Sequence, residues 1–324
     1  MKIAIIGATG LVGRTMLNIL HEHGFTKNNE IILYTSNKSS GSLISIENQT
    51  FIVRELSKQN IDKDISFALF SAGSNVSLCF AKEFAKNGSY VIDNSSAFRR
   101  KKNIPLVIPE INMDSLCMKN KIIANPNCST ILLSLPLHAL HQKYSVKRVI
   151  VSTYQAVSGA GKTAIDDLEN NTTNKLSYPI QNNLIPQIDK LQNNGYTFEE
   201  DKLRFEICKI LNNKKIKVTA TAVRVPIKNC HSESVNIEFK QKPNINEIKE
   251  ILSHTSGVSI LCDNSLPMPI VADGKDEIYV GRIRIDKTRK NCINMFLCGD
   301  NIRKGAALNA VQIMEEIIQK FYRK

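Results

Sequence analysis

Tryptophan is absent from the chain, and aromatic residues make up only 6% of it. Basic runs such as Arg99-Arg100-Lys101-Lys102 therefore lack the interleaved rings on which bases stack. The formal net charge of +13 would by itself point to nucleic acid or an anionic membrane surface. The lysines, however, are dispersed among asparagine and isoleucine, a compositional bias rather than a binding stripe, so no nucleic-acid partner is expected. No stretch comes near the ~20 apolar residues of a membrane span. The first residues, Met1 to Gly7, carry one charge and an apolar run too short for a signal segment. The sequence thus reads as a cytoplasmic protein with no membrane partner. It also lacks a Cys-x-x-Cys pair and any Cys/His cluster of zinc spacing. Its eight cysteines (Cys79, Cys117, Cys128, Cys208, Cys230, Cys262, Cys292 and Cys298) are scattered, which argues against a disulfide framework or a structural metal. Most of them read as small core residues, and no metal is expected.

What is present is a rhythm. The 324 residues, 42% of them hydrophobic, suit two domains. Up to residue 128, β-branched runs at 2–6, 30–35, 66–72, 90–93 and 122–124 are interspersed with helical patterns at 11–23 and 75–87, which predicts a largely parallel α/β sheet with crossover helices. Longer alternating strands follow at 147–154, 216–225, 234–240, 277–285 and 292–298, so the second domain is expected to be α+β with a mixed or antiparallel sheet. An amphipathic helix at 305–321 is expected to pack back onto the first domain. The expected division is 1–128 plus 302–324, and 129–301.

Gly7-Ala8-Thr9-Gly10-Leu11-Val12-Gly13 follows an apolar strand directly and opens a helix, the setting that a Rossmann-type dinucleotide loop requires. Gly7 permits the tight turn, Gly10 lets the backbone approach a pyrophosphate, and Gly13 allows close packing of helix on strand. The helix start supplies unpaired N–H donors. At the end of the second strand, where an NAD enzyme presents an acidic residue, the chain instead reads Tyr34-Thr35-Ser36-Asn37-Lys38-Ser39-Ser40-Gly41. Hydroxyls and a cation suit a 2′-phosphate, so NADP is the expected cofactor.

Ile122 to Thr130 reads as a strand, an Asn-Pro-Asn turn and a helix start with Cys128 at its mouth. Helix N–H groups and the helix dipole favour a thiolate there, the reactive form in acyl chemistry, although a cysteine so placed can equally be a packing residue. Ser152 to Gly161 is a strand running into a loop of small residues that a flat ring can approach. Lys162-Thr163 is no Walker loop, because the first glycine of that pattern is missing. Glu206 and Lys209 share a helix face by their i, i+3 spacing, which also fits an ordinary ion pair. His231 alone is ambiguous.

Four segments together are specific: Asn-Pro-Asn-Cys-Ser-Thr at 125–130, Thr-Tyr-Gln-Ala-Val-Ser-Gly-Ala-Gly at 153–161, Arg-Val-Pro-Ile followed by His-Ser-Glu-Ser-Val within 224–235, and Asp-Asn-Ile-Arg-Lys-Gly-Ala-Ala-Leu-Asn-Ala-Val-Gln-Ile at 300–313. In these the chain resembles the bacterial branch of the aspartate-semialdehyde dehydrogenase family, from Gly7 to Gln312. The resemblance implies an enzyme with an NADP-binding domain and a catalytic and dimerisation domain. It would convert L-aspartyl-4-phosphate reversibly to the semialdehyde through a cysteine thioester, in the pathway to lysine and diaminopimelate, threonine and methionine. Cys128 is then the nucleophile, His231 the general acid/base and Gln155 the residue that orients substrate. Asn127 joins the substrate site, Arg224 holds the substrate carboxylate, and Glu206 faces its ammonium group. Lys209 and Arg99 bind inorganic phosphate or the phosphoryl group. The cofactor set is Gly7, Thr9, Gly10, Leu11, Val12, Gly13, Ser36, Lys38, Ser39, Ser158, Gly159 and Asn301. A homodimer or homotetramer is implied.

The chain departs from the family where Lys38 stands in place of the common arginine, trading a planar fork for a point charge. The rival N-acetyl-γ-glutamyl-phosphate reductase shares this chemistry but has an acylated substrate nitrogen, against which Glu206 has no purpose. Glyceraldehyde-phosphate dehydrogenase would place an acid at the second strand. A non-catalytic relative would have no need of Cys128, Gln155, Arg224 and His231 together.

Overall fold

The computed structural model describes residues 1–261 and 265–322, so Cys262 lies outside the described residues. The chain forms two compact units, Met1–Pro126 together with the chain from Ala306 onward, and Asn127–Gly305. Cys128 therefore belongs to the second unit, two residues past the break, because the helix it opens packs on the second sheet.

In the first unit the order is β1 (Lys2–Ile6), α1 (Leu11–Glu22), α2 (Phe25–Asn28), β2 (Glu30–Thr35), β3 (Leu43–Ile46), β4 (Gln49–Glu55), β5 (Ile65–Phe70), α3 (Ser74–Lys86), β6 (Tyr90–Asp93), α4 (Pro109–Asn112) and β7 (Ile122–Ala124). The seven strands lie in the order β3-β4-β2-β1-β5-β6-β7. All the pairs are parallel except β3 with β4. Connections leave β1 toward β2 on one side and β5 on the other, so the loop after β1 opens at the point where the winding reverses, which is where ligands bind in such sheets. The β3–β4 hairpin escapes a reading of hydrophobic pattern: Leu43 and Ile52 are exposed, and Glu47 turns the chain with φ 47°.

The second unit contains α5 (Cys128–Tyr144), β8 (Val146–Gln155), α6 (Lys162–Asn170), α7 (Phe198–Ile210), β9 (Lys217–Arg224), β10 (His231–Phe239), α8 (Ile245–Ser253), β11 (Val258–Ile260), α9 (Pro269–Ala272), β12 (Ile278–Ile285) and β13 (Cys292–Gly299). Its sheet is mixed, in the order β11-β12-β13-β10-β8-β9. Inward residues such as Val149, Val151, Val235, Ile237, Met295 and Leu297 alternate with half-exposed ones, as period-two strands with one covered face require. Helix α5 lies against β8, β10 and β13, with α7 and α8 beside it, and is therefore buried around most of its girth.

The chain then returns to the first unit through a π-wound turn, Arg303–Leu308, and α10 (Asn309–Phe321). The helix expected at 305–321 is thus regular only from Asn309. Its Val311, Met314 and Ile317 join Ile3, Ile5, Leu33, Phe67, Leu69 and Ile92 in one buried cluster. Each such side chain stabilises the fold by roughly 1.5–3 kcal/mol relative to exposure. Among the described residues no helix is long and apolar enough to cross a membrane. The cysteines depart from expectation: Cys230, Cys292 and Cys298 are buried, Cys128 and Cys208 half-buried, and Cys79 and Cys117 exposed.

Candidate active site

In the first unit, Gly7 has φ +88° and its N–H donates to the Tyr34 carbonyl at 2.9 Å. A Cβ on Gly13 would lie 2.3 Å from the Gly7 carbonyl oxygen, so the third glycine is required for the helix to sit against the turn. Gly10 is the N-cap of α1 and offers no side chain to the first N–H groups, which include those of Leu11 and Val12. That leaves a helix start chemically suited to an anion. The Thr9 and Thr35 hydroxyls are hydrogen-bonded at 3.0 Å. Ser36, Lys38 and Ser39 follow β2 in a short 3-10 turn, with Lys38 exposed. Arg99 is buried in the same unit and donates from Nη2 to the Asn94 carbonyl at 2.6 Å.

The second unit gathers most of the residues expected to carry the chemistry. Gln155 and Arg224 are register partners on the parallel strands β8 and β9. On the other side of β8, Ser232 pairs with Tyr154 in the antiparallel register of β10, which brings His231 to the same end of the sheet. His231 opens its strand rather than following it. Three polar side chains thus leave adjacent strand ends on one face, and Cys128, the first residue of α5, lies near enough to act on the Arg224 charge. Asn127 caps that helix: its Oδ1 accepts from the N–H groups of Ser129 at 3.1 Å and Thr130 at 3.3 Å. A Cβ on Gly305 would stand 3.0 Å from the Cys128 Cβ, so the π-wound turn presses backbone close to the thiol. π-turns recur at such sites.

His231 is wholly buried, and its Nδ1 accepts the Ala156 N–H at 3.1 Å. The proton of the neutral ring then lies on Nε2, a buried atom with no hydrogen-bond partner among the described residues. Burial and the neighbouring Arg224 guanidinium push the imidazole down to about 3, so the ring is neutral at physiological pH. Arg224 donates from Nη1 to the Ala156 carbonyl at 2.6 Å. Its burial works against the cation, while Glu199 and Cys128 work for it. Gly159 leaves room at this point, since a Cβ there would come within 3.4 Å of the His231 ring.

Glu206 is buried and takes the Asn127 backbone N–H on Oε2 at 2.6 Å. It is no exposed helix-surface ion-pair partner. Lys209, one turn further along α7, is half-buried; desolvation lowers its pKa and Glu206 opposes that shift. The Asn301 amide is committed within the unit: Oδ1 accepts the Cys230 N–H at 2.8 Å and Nδ2 donates to Ser158 Oγ at 3.1 Å. Cys230, Asp273 and Asp300 offer ligand atoms within 4.8 Å of one another. Asp300, however, already accepts the N–H groups of Gly274, Ile302 and Arg303.

One residue of this site was not foreseen. Glu199, also on α7, is buried, and its Oε1 accepts from Asn127 Nδ2 at 2.8 Å and Gln155 Nε2 at 3.1 Å. Its Oε2 meets Lys202 Nζ at 2.9 Å. Burial opposes its ionisation, but the Lys202 ammonium and the two amide donors outweigh it and hold the carboxyl at about 2. The one signal available in the sequence was its i, i+7 spacing from Glu206, two turns along one helix face.

Comparison with known proteins accounts for both units. Residues 2–118 match the model of the semialdehyde dehydrogenase NAD binding domain, and residues 137–304 match that of the semialdehyde dehydrogenase dimerisation domain. The aspartate-semialdehyde dehydrogenase of Aquifex aeolicus is 44% identical, with 98% of each chain covered. The chain belongs to the aspartate-semialdehyde dehydrogenase family. The Bacillus subtilis member is 43% identical over 98% of this chain and 97% of its own. The crystal structure of aspartate semialdehyde dehydrogenase II complexed with ASA from Vibrio cholerae superposes with a TM-score of 0.95 at 39% identity, covering 99% of this chain and 98% of that one. The protein is accordingly an oxidoreductase with a nucleotide-binding Rossmann-type domain and a dimerisation domain.

Proposed function

We propose that the protein catalyses the reversible, NADP-dependent reductive dephosphorylation of L-aspartyl-4-phosphate to L-aspartate 4-semialdehyde through a thioester on Cys128. This step feeds lysine and diaminopimelate, threonine and methionine synthesis. The observation that carries this reading is the convergence of Cys128 at a capped helix start with Gln155, Arg224 and His231 at three neighbouring strand ends.

The helix start favours the Cys128 thiolate, which attacks the acyl phosphate carbon; the C–O bond to phosphate breaks and the thioester forms. The Gly7–Gly13 loop with Ser36, Lys38, Ser39, Ser158 and Gly159 would hold NADPH, whose chemistry there would be hydride donation to the thioester carbon. The hemithioacetal oxyanion then collapses, expelling the thiolate and releasing aldehyde. Neither tetrahedral stage requires a proton from the enzyme. The neutral His231 can stabilise both oxyanions through Nε2–H, alongside the general acid/base role that the resemblance implies for it. Arg224 offers the substrate carboxylate a planar fork. Glu206, against the residue preceding Cys128, supplies negative charge for the ammonium, and Lys209 and Arg99 serve the phosphoryl group. A homodimer or homotetramer fits the half-exposed outer face of the second sheet, where Ile150, Val223 and the stacked rings of Tyr154 and Phe296 lie.

The deciding assay follows NADP reduction with aspartate semialdehyde and phosphate, with N-acetylglutamate semialdehyde alongside. Rapid reduction with the first substrate alone is expected. Activity confined to the acetylated substrate would reassign Glu206 and the pathway, and turnover by Cys128→Ala would exclude the thioester.

A further inference from the structure

Two amides of the site, Asn127 and Gln155, can each be placed in two orientations that differ only by exchange of O and N. The working orientation of Asn127 is the one with Oδ1 toward the helix, because only an acceptor can satisfy the N–H groups of Ser129 and Thr130. Gln155 has its Nε2 on Ser129 Oγ at 2.9 Å, which leaves Oε1 buried and without a donor among the described residues. Neither helix cap nor hydroxyl alone fixes both choices, since a hydroxyl accepts as readily as it donates.

A single atom resolves both. Glu199 Oε1 takes hydrogen bonds from Asn127 Nδ2 and Gln155 Nε2 together. An ionised carboxylate only accepts, so reversing either amide would set oxygen against oxygen in a buried site. Lys202 keeps the carboxylate ionised through the other oxygen, and is itself held by Asp189 at 2.8 Å.

We infer that Glu199 is a positioning residue: it braces Asn127 in the orientation the cap of the Cys128 helix already requires, and it sets Gln155 so that Gln155 presents its carbonyl oxygen and selects a hydrogen-bond donor on the substrate. This rests on the reading of Cys128 and Gln155 as working residues. The free ammonium of an aspartyl substrate is such a donor.

Glu199→Gln removes the enforcement while keeping shape, because its own amide can meet either orientation of its partners. The full chain carrying Glu199→Gln is expected to fold, to lose about 10- to 100-fold in kcat with aspartate semialdehyde, and to alkylate Cys128 with iodoacetamide more slowly, with the pH midpoint of that reaction displaced upward. A purely structural role would leave that midpoint unmoved. A kcat within about twofold of wild type with an unchanged alkylation profile would overturn the inference. Should Glu199→Gln not fold, Lys202→Met carries the test: its kcat must fall toward acid pH, where the unsupported carboxyl protonates, and a profile identical to wild type would overturn the inference. Cys128→Ala in parallel separates the two ideas, since turnover by that variant condemns the thioester reading whatever Glu199 does.

Discussion

Gln155 and Arg224 face each other across a parallel strand pair, one on β8 and one on β9, and both are almost completely buried. Side chains in register on parallel neighbours project from the same face. The guanidinium proposed to meet the substrate and the amide proposed to orient it are therefore spaced by the sheet and not by a loop.

Arg224→Lys tests what that spacing is for. A lysine keeps the charge and loses the fork, so the KM for aspartate semialdehyde should rise by about tenfold or more while kcat falls less. Steady-state kinetics with NADP saturating measures both. A large loss in kcat with unchanged KM would assign Arg224 to the chemical step instead.

His231 should remain neutral in the folded enzyme well below the ordinary histidine range. Its pKa of about 3 lies below the ordinary 6.5, so the folded chain binds fewer protons than the unfolded one. The stability this provides is complete above about 6.5 and is lost as pH falls toward 3. Glu199, held at about 2 from an ordinary 4.5, adds a second loss in the lower part of the same range. NMR of histidine ring carbons, assigned with a His231→Asn control, should show no titration of this residue between pH 5 and 8. An inflection near 6.5 would favour the proton-transferring acid and base role instead.

Gly305→Ala places a methyl where 3.0 Å separates the new carbon from the Cys128 Cβ. One of the two backbones must give. Turnover and iodoacetamide alkylation of Cys128 should both slow by about tenfold or more, with the thermal midpoint lowered by no more than a few degrees. Equal rates in the variant and wild type would mean that the thiol has slack the geometry does not show.

Lys38 is exposed in the turn after β2. If it meets a 2′-phosphate, Lys38→Ala should reduce kcat/KM for NADP by about fivefold to tenfold and leave NAD unchanged, and Lys38→Arg should sharpen the preference. A matched loss with both cofactors would remove it from the discriminating contact.

The sequence revealed those features that are local. Strand β1 and the Gly7–Gly13 turn are one continuous segment, and so are the Asn125–Thr130 turn and the start of α5, so pattern and spacing sufficed. The β3–β4 hairpin was missed because exposed Leu43 and Ile52 blur the two-residue alternation that marks a half-buried strand. Glu199 is illegible for a different reason: its partner Asn127 is 72 residues away, and nothing in a run of Phe198-Glu199-Glu200-Asp201, whose three carboxylates are all buried, distinguishes the one that reaches the site. The hydrogen bonds of Asn301 to Cys230 and Ser158 likewise belong to tertiary structure that no spacing encodes.

The π-wound turn at Arg303–Leu308 also limits how this segment can change in length. Such a turn holds one residue more than the α-turn it replaces. Removing any residue from it would let the helix rewind regularly, and everything downstream would rotate by about 100°. Val311, Met314 and Ile317 would then swing out of the buried cluster they now complete, or, if they held their places, Gly305 would be drawn away from Cys128. Substitution can explore this stretch, but a single-codon deletion would disturb either the hydrophobic core or the backbone packed beside Cys128.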